Sequence, residues 1–566
     1  MSHRSRHVKC DESRPACRRC VSTGRVCDGY GIWGGGSPNS QPQHNNALSI
    51  CCTPIPLGNL NSDEQMSFDW FKEKTTKRFV GIFTSDFWET LVFQASAQEP
   101  AVRHAVVALS AAHRFDSNCG ALITPAAHGF DAEKFTLQQY NKAIHYLRSN
   151  PIINNKNNLR VTLITCLVFV TLEYLRGQYK SGNAHLRYGI QLLSELSAHK
   201  PEIEPGSTTS FHHNPEDFAH NALNDSYARL TIQCAMFGIL PSRMCVMARI
   251  PQISTPSRPF NTMVEARQTL DYLVNRIKRL KENYHSAKEL GIPIDHAHES
   301  SIQSKIKEDL LLWRESYNAR PACLYPAADH RDSVGSILLR VYHEMATVMV
   351  AVGLSESEMA YDAHTNNFTA IITGFFELWS IWSKFNTQDQ HIEEIAKLSD
   401  RGGQGFTIES GYIPPVYYTA LKCRIPQIRR QAIRTLRSVP HREGVWNGPL
   451  LADVLEEVIR IEEGESLGGN YESDAPIEHG GPIDCRWSLP NVGELSRISD
   501  VKVILADAMD ESWGYNLITY KKKMLDGGWV MFKRKVGAGV STGRQRHANR
   551  GFRKNLDPEM GELNVE

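Results

Sequence analysis

The chain has 566 residues, of which 41% are hydrophobic and 22% are charged, so its composition is globular and excludes a chain that is disordered throughout. Lysine and arginine number 63 against 62 aspartates and glutamates, which gives a formal net charge of +1 and excludes a wholly basic nucleic-acid coat or a polybasic membrane protein. Any contact with nucleic acid must therefore come from a local basic patch.

Residues 1–30 concentrate both cysteine and positive charge. They hold seven Lys or Arg and three Asp or Glu, a net charge of +4 in a chain of net charge +1. Cys10, Cys17, Cys20 and Cys27 follow the spacing C-x6-C-x2-C-x6-C. The polar start carries no secretory signal, so we expect metal ligands rather than a disulfide framework. Thiolates suit Zn²⁺, and a two-residue gap lets two sulfurs meet on one tetrahedral ion.

The run RHVKCDESRPACRRCVSTGRVC resembles the Zn(2)-Cys(6) binuclear cluster of fungal transcription factors. In that family six cysteines hold two Zn²⁺, with two thiolates bridging both ions, and the last four match the four cysteines above. Pro15 matches the proline that turns the loop between the two halves of the cluster. The resemblance implies that a short basic helix enters the major groove of DNA.

The resemblance also implies DNA contact by seven basic residues, namely Arg4, Arg6, His7, Lys9, Arg14, Arg18 and Arg19. The side chains of Arg6, His7 and Lys9 would face base edges, where Arg or Lys paired to guanine is the commonest specific contact. Arg4 and the three later arginines would hold the backbone, which sets position and salt dependence but not sequence.

The sequence departs from the family pattern at the first two of its six ligands. His3 stands where the second family cysteine is expected, and the first would precede Met1. Two tetrahedral sites need eight ligand contacts, which four cysteines and His3 do not supply. We expect that the given start lies inside the cluster and that two cysteines precede it. A single Zn²⁺ on the four cysteines, or a cluster that no longer folds, are the alternatives.

Residues 31–61 are rich in Gly, Pro, Asn and Gln and predict a flexible linker. Residues 62–532 carry apolar stripes at helical spacing and predict an all-α domain. Asp86 and Glu89 resemble a capping pair. Pro100 is expected to open the next helix. The run VTLITCLVFVTL at 161–172 is too short to span a membrane and predicts a buried helix with a core thiol at Cys166.

Between residues 263 and 287 apolar residues keep a 3-4-3-4 spacing, which allows a dimerising coiled coil but favours a core helix because Tyr284 and Ala287 occupy its end. Further helices are predicted at 335–353, 367–385 and 449–463. The basic stretch 533–566 predicts a disordered tail. The segments at 83–114, 138–148 and 165–193 resemble the helical regulatory region of fungal transcription factors, which is taken to tune activation.

Other chemistry is less well supported. Gly29 to Gly34 spells G-x-G-x-x-G but lacks the strand before and the helix after it. A redox pair at Cys17 and Cys20 would need a βαβ context. His296 and His298 read best as part of a solvated loop. No motif converges on a catalytic site, so we do not expect an enzyme.

The sequence as a whole predicts a mostly α, nuclear, sequence-specific regulator of RNA polymerase II transcription. We expect zinc as its cofactor, and duplex DNA and the transcription machinery as partners, with a homodimer as a further option and no membrane. The alternative function is a helical interaction or ligand-sensing regulator that has lost DNA binding because the cluster is incomplete.

Overall fold

The computed structural model describes most of the chain beyond the predicted linker. The described residues are 60–79, 81–83, 85–118, 125–149, 156–198, 215–246, 259–319, 330–385, 405–438, 441–464, 492–507 and 515–536. The cysteines predicted to bind zinc, almost all of the predicted linker and the residues after 536 lie outside these ranges, so the predictions about them stay predictions.

Most of the described residues form helices that pack on one another around a continuous hydrophobic core, as the predicted fold class requires. In chain order the α-helices are α1 (Ser62–Trp70), α2 (Thr76–Phe79), α3 (Val92–Gln98), α4 (Pro100–Asn118), α5 (Pro125–Ser149), α6 (Lys156–Leu175), α7 (Tyr179–Ala198), α8 (Pro215–Phe237), α9 (Met263–Glu289), α10 (His296–Asn318), α11 (His330–Ala351), α12 (Thr365–Phe385), α13 (Ile413–Lys422), α14 (Pro426–Ser438) and α15 (Gly448–Glu463). Single π-helical turns, Phe71–Thr75 and Phe87–Leu91, precede α2 and α3.

Helix α6 lies at the centre of this packing. Every residue from Leu159 to Leu175 is buried, which confirms the buried helix predicted from the apolar run. By length and composition α6 and most of α11 could cross a membrane, yet 94% and 61% of their apolar windows are buried inside the protein. Cys166 is 4% exposed and is the expected core thiol. Burial raises the pKa of this thiol to about 12, so it stays protonated.

Two predictions about helix starts had different outcomes. Pro100 begins α4, as predicted. The capping pair at Asp86 and Glu89 was wrong, because Asp86 has helical dihedral angles and its side chain makes no capping bond. The backbone amide of Ser85 instead donates to Glu89 Oε2 at 3.4 Å. A complete capping box forms at α1, where Asn61 Oδ1 accepts from the Glu64 amide at 2.9 Å.

Helix α9 is a core helix, as the sequence favoured. Leu270, Leu273 and Ile277 are at most 2% exposed, and the indole of Trp313 in α10 donates to the backbone of this helix at Ala266. The apolar positions of the heptad pattern therefore pack in the core of the same domain. Helices α12 and α15 cover the predictions at 367–385 and 449–463, and α11 covers the prediction at 335–353 except for its last two residues.

The described residues include six strands that the all-α prediction did not include. The first sheet has β1 (Gly405–Thr407), β2 (His441–Glu443) and β3 (Trp446–Asn447), with β1 and β2 parallel. The second is an antiparallel sheet of β4 (Ile498–Ile504), β5 (Asn516–Lys523) and β6 (Trp529–Val536). The prediction of a disordered tail from residue 533 is therefore wrong for residues 533–536, which belong to β6, and the rest of that stretch lies outside the described residues. The run of basic side chains in residues 533–536 obscured the strand pattern.

Candidate functional site

The residues predicted to bind zinc and DNA all lie before residue 60 and outside the described part of the chain. The structure neither brings them together nor separates them. Among the residues it does describe, no group of His, Cys, Asp or Glu is arranged to hold a metal ion. The motif Gly29–Gly34 and the pair Cys17–Cys20 also lie outside the described ranges.

The thiols of the helical body differ from zinc ligands in their protonation. Cys234 and Cys423 are buried and Cys245 is half-buried. Burial raises the pKa of Cys234 to about 12 and the pKa of Cys245 and Cys423 to about 11. Zinc binds the thiolate form, so these side chains act as small apolar residues.

The histidines at the start of α10 do not form a site. Asp295 caps this helix, and its Oδ1 accepts from the amides of Ala297 and His298 at 3.1 and 3.0 Å. The side chains of His296 and His298 are exposed. Asp295 therefore caps the helix. The solvated loop predicted at His296 and His298 is wrong, because these residues form the first turn of α10.

A buried carboxylate joins α8, α9 and the loop after β1. Glu409 accepts from Arg229 Nη1 at 2.6 Å and from Arg267 Nη1 at 3.2 Å. Each arginine has a second acidic partner on its own helix, Asp225 for Arg229 and Asp271 for Arg267. All three members of the central triad are at most 9% exposed. We call these five residues the Glu409 cluster, and it fixes two helices to the region after residue 405.

A cavity borders the Glu409 cluster and is lined by Trp88, Leu167, Arg229 and Glu409 among others. It encloses about 330 Å³ when space open to solvent is included, but only about 20 Å³ of that can hold the centres of water molecules. That room suits one or two waters, since a single buried water needs roughly 10–15 Å³ by the same measure. The cavity does not have the size of an effector pocket.

Glu443 holds the start of α13. Its carboxyl oxygens accept from the backbone amides of Gly411 at 2.7 Å, Tyr412 at 3.0 Å and Ile413 at 3.3 Å. Burial raises the pKa of Glu443 to about 8, although the three amides act in the opposite direction. Position 411 needs glycine, because a Cβ there would lie 2.5 Å from Glu443 Oε1.

A larger ionic network, the Glu358–Glu462 network, joins the C-terminal sheet to the helices. Glu358 accepts from Lys422 Nζ at 2.8 Å and from Arg424 Nη2 at 3.3 Å, and Glu462 accepts from Arg424 Nη2 at 2.6 Å. Arg429 Nη2 lies 2.8 Å from Glu462. Burial alone would raise the pKa of both carboxyls, but the cations outweigh burial and lower it below the usual value.

The same network fixes the first residues of the C-terminal sheet. The amide of Ile498 donates to Glu462 Oε1 at 3.1 Å. The guanidinium of Arg497 donates to the Glu358 carbonyl at 2.9 Å and to both oxygens of Asp362, at 2.8 and 2.7 Å. The sheet is thus held by buried, charge-assisted bonds, and its position on the helical body is well defined.

Buried histidines make the domain sensitive to acid. His113 Nδ1 lies 2.9 Å from the Thr75 hydroxyl, and burial together with the charge of Arg78 lowers its pKa from 6.5 to about 3. Below pH 6.5 the His113 imidazole binds a proton in the unfolded chain, whereas in the folded protein it stays neutral down to about pH 3. Stability is therefore lost as pH falls from 6.5 towards 3, by about 1.4 kcal/mol per pH unit for this group.

We expect His113→Gln to reduce that loss. Urea unfolding at neutral pH and about two pH units lower, followed by circular dichroism, measures it. The variant should be less stable at neutral pH but lose less stability on acidification, whereas the exposed His298→Gln control should follow the parent protein. An unchanged pH dependence in His113→Gln would show that the proton is taken up elsewhere.

Comparison with known proteins places families on two parts of the chain. Residues 4–32 match the fungal Zn(2)-Cys(6) binuclear cluster domain. Residues 68–263 match the fungal specific transcription factor domain, which spans the helices from within α1 to the start of α9. The order of the two matches agrees with the order of the two resemblances in the sequence.

Two curated relatives are transcription regulators. The aspercryptin biosynthesis cluster-specific transcription regulator atnN of Emericella nidulans is 24% identical over 569 aligned residues, which cover 83% of this chain and 88% of that protein. The transcription regulator lscL of Purpureocillium lilacinum is 28% identical over 232 residues, covering 38% of this chain and 52% of that protein. No solved structure shows a significant match.

Proposed function

We propose that the N-terminal thiolates of this DNA-binding transcription regulator hold zinc and position a basic segment on duplex DNA. The matches of residues 4–32 to the fungal Zn(2)-Cys(6) cluster domain and of residues 68–263 to the fungal specific transcription factor domain support this. The proposed ligands are Cys10, Cys17, Cys20 and Cys27, with His3 as a further candidate. The spacing of the cysteines carries this proposal. Bound zinc supplies the folding free energy that so short a segment cannot gain from a core.

The number of zinc ions follows from the ligands available. Four thiolates complete one tetrahedral site, whereas two sites with bridging thiolates need six cysteines. We propose one Zn²⁺ on the four cysteines of the given sequence. A second ion would bind only where two further cysteines precede that sequence.

Two groups of basic residues have separate roles in the proposed complex. Arg6, His7 and Lys9 reach base edges in the major groove. Arg4, Arg14, Arg18 and Arg19 contact phosphates, which releases counterions and makes binding depend on salt. This division follows the match of the segment to the cluster family and can be tested residue by residue.

Two substitutions separate these roles. We expect Arg18→Ala to weaken binding to all duplexes alike and to make the slope of log affinity against log salt shallower by about 0.9. We expect Arg6→Ala to cost about 1–3 kcal/mol on the preferred site and to relax the preference for it, with a smaller change on random DNA. Fluorescence anisotropy on a CGG-containing duplex and a random duplex, over a series of salt concentrations, measures both.

A matched control is Arg340→Ala, which removes one arginine from the helical body, where it pairs with Glu377. It should leave both affinities unchanged. Equal losses on both duplexes for Arg6→Ala, or binding that does not depend on salt, would contradict the division of roles.

We further propose that the protein acts in the nucleus on RNA polymerase II promoters, as its family implies, and that it is not an enzyme. The helical body would then restrain or present the cluster by contacting the transcription machinery or a second copy. The cavity beside Glu409 has room only for water and does not itself support the ligand-sensing alternative.

The relative that aligns with most of the chain is a cluster-specific regulator of aspercryptin biosynthesis. This supports the proposal that the present chain also controls a set of biosynthetic genes. Transcript profiling after deletion of its gene would test it, and the expected result is a coordinated change in neighbouring biosynthetic genes.

A further inference from the structure

The antiparallel register of the C-terminal sheet gathers lysines on one face. Residues directly opposite each other share a face, and the register pairs Lys521 with Met531, Lys523 with Trp529 and Thr519 with Lys533. Lys502 in β4 lies opposite Thr519 in β5, and Lys535 in β6 lies opposite Leu517 in β5. Five lysines therefore share what we call the outer face, namely Lys502, Lys521, Lys523, Lys533 and Lys535.

The other face of this sheet is buried against the helices through most of its β4 and β5 side chains, while Val530 and Arg534 of β6 remain exposed. Ile498 and Ile518 are at most 1% exposed, and Tyr520 and Val536 are at most 7% exposed. Arg534, which shares this inner face, contacts Glu457 of α15. Since the sheet packs through this face, the alternation of side chains directs the outer face to solvent.

The charge of the outer face is only partly neutralised. Residues 498–507 and 515–536 hold seven Lys or Arg and three Asp, a net charge of +4 in a chain of net charge +1. Asp500 pairs with Lys502 and Lys521, and Glu289 pairs with Lys521. Within the described residues, Lys523 and Lys533 form no ion pair, and Lys535 lies over the Tyr515 ring at 4.0 Å.

The outer face also carries apolar side chains and a free edge. Trp529 is 40% exposed and Met531 is 56% exposed, and both lie on β6 directly before the lysines. Strand β6 pairs with β5 alone among the described residues. A second copy of this edge would oppose lysines with lysines, which is unfavourable. A polyanion complements the face, and the apolar side chains can contact the sugars between its phosphates.

We propose that the outer face binds the sugar–phosphate backbone of duplex DNA, outside the sequence that the zinc cluster reads. Lys523, Lys533 and Lys535 neutralise phosphates, and Trp529 lies against the backbone between them. The contact is independent of sequence, so it adds affinity and salt dependence but no base preference. It operates even where the zinc cluster does not fold.

The test uses the full chain carrying Cys20→Ala, so that any DNA binding measured does not depend on the cluster. A random-sequence duplex is the probe, and the affinity is measured by anisotropy over a series of salt concentrations. We expect the triple change Lys523→Gln, Lys533→Gln and Lys535→Gln to weaken this binding about tenfold or more and to make the salt slope shallower by about 2–3. The triple change to Arg should retain it.

The control exchanges three lysines of the helical body, Lys77→Gln, Lys305→Gln and Lys307→Gln, which gives the same net charge. Equal salt slopes for the two triple variants would overturn the proposal. The proposal would also be overturned if the protein were retained on vesicles of phosphatidylserine and phosphatidylcholine while the outer-face variant bound DNA as well as its parent does. That result would indicate that the outer face binds an anionic membrane surface. If the parent protein showed no preference for the specific site but still bound random DNA, that result would contradict the proposal for the zinc cluster and not the proposal for the sheet.

Discussion

Replacing Cys20 with Ala is expected to abolish site-specific DNA binding and to release zinc. Cys20 is one of the two sulfurs separated by two residues, and its loss leaves three thiolates where a structural zinc site needs four ligands. Without metal the segment has no means to fold, because binding free energy and folding free energy are the same quantity there. Affinity for the preferred site should fall to the non-specific level, a loss of about 10³-fold or more.

The helical body provides the matched control for this change. Cys245 is half-buried in the helical body, where its thiol donates to the Thr231 carbonyl at 3.6 Å, and it is not among the proposed zinc ligands. Cys245→Ser should retain both zinc and site-specific binding. The Cys20→Ala protein should keep the far-ultraviolet circular dichroism of the parent. Unchanged zinc content in Cys20→Ala would remove this cysteine from the ligand set.

Arg424→Ala is expected to destabilise the domain by about 3–5 kcal/mol. Its guanidinium is fully buried and lies against the carboxylates of both Glu358 and Glu462. After its removal, Glu358 keeps an ion pair only with Lys422, and Glu462 keeps one only with Arg429. Because Glu462 also accepts from the amide that begins β4, hydrogen exchange in residues 498–504 should rise with the loss of stability.

The control is again Arg340→Ala, whose partner Glu377 is 45% exposed while Arg340 itself is 41% exposed. An exposed pair contributes about 0–1 kcal/mol, since water solvates both groups after the pair is broken. Urea unfolding of both variants gives the comparison. A loss for Arg424→Ala no larger than that of Arg340→Ala would mean that the network does not hold the sheet.

The helices were the part of the fold that the sequence could predict. Apolar spacing and a proline at the first position identify a helix locally, which is why the start of α4 at Pro100 and the buried run 161–172 inside α6 were predicted correctly. The heptad in α9 was assigned to the core because Tyr284 and Ala287 are poor coiled-coil residues, and the buried positions of that helix agree.

The C-terminal sheet was missed for a physical reason. Strand β6 is exposed along nearly its whole length, so it lacks the alternation of apolar and polar residues that marks a half-buried strand. Its lysines and arginine suggested a tail. The signal that could have found it is the pairing of YKKK in β5 with WVMFKRK in β6 across Gly527 and Gly528, which is a hairpin pattern.

The buried charge networks were also beyond sequence reasoning. Glu409 meets Arg229 and Arg267 across 180 and 142 residues of chain, and no local pattern indicates which carboxylate reaches which arginine. The residues predicted to bind zinc and DNA have the opposite property. Their spacing is local, so that prediction needs no information from the fold.

The most direct test of the central claim measures zinc and DNA binding in one titration. Native mass spectrometry counts the zinc ions on the full chain, and anisotropy follows its binding to the preferred duplex, as a chelator is added. We predict that zinc is present at the start and that site-specific affinity falls in step with its removal, then returns when zinc is restored. A chain that takes up no zinc, or one whose site-specific affinity survives complete removal of the metal, would contradict the account.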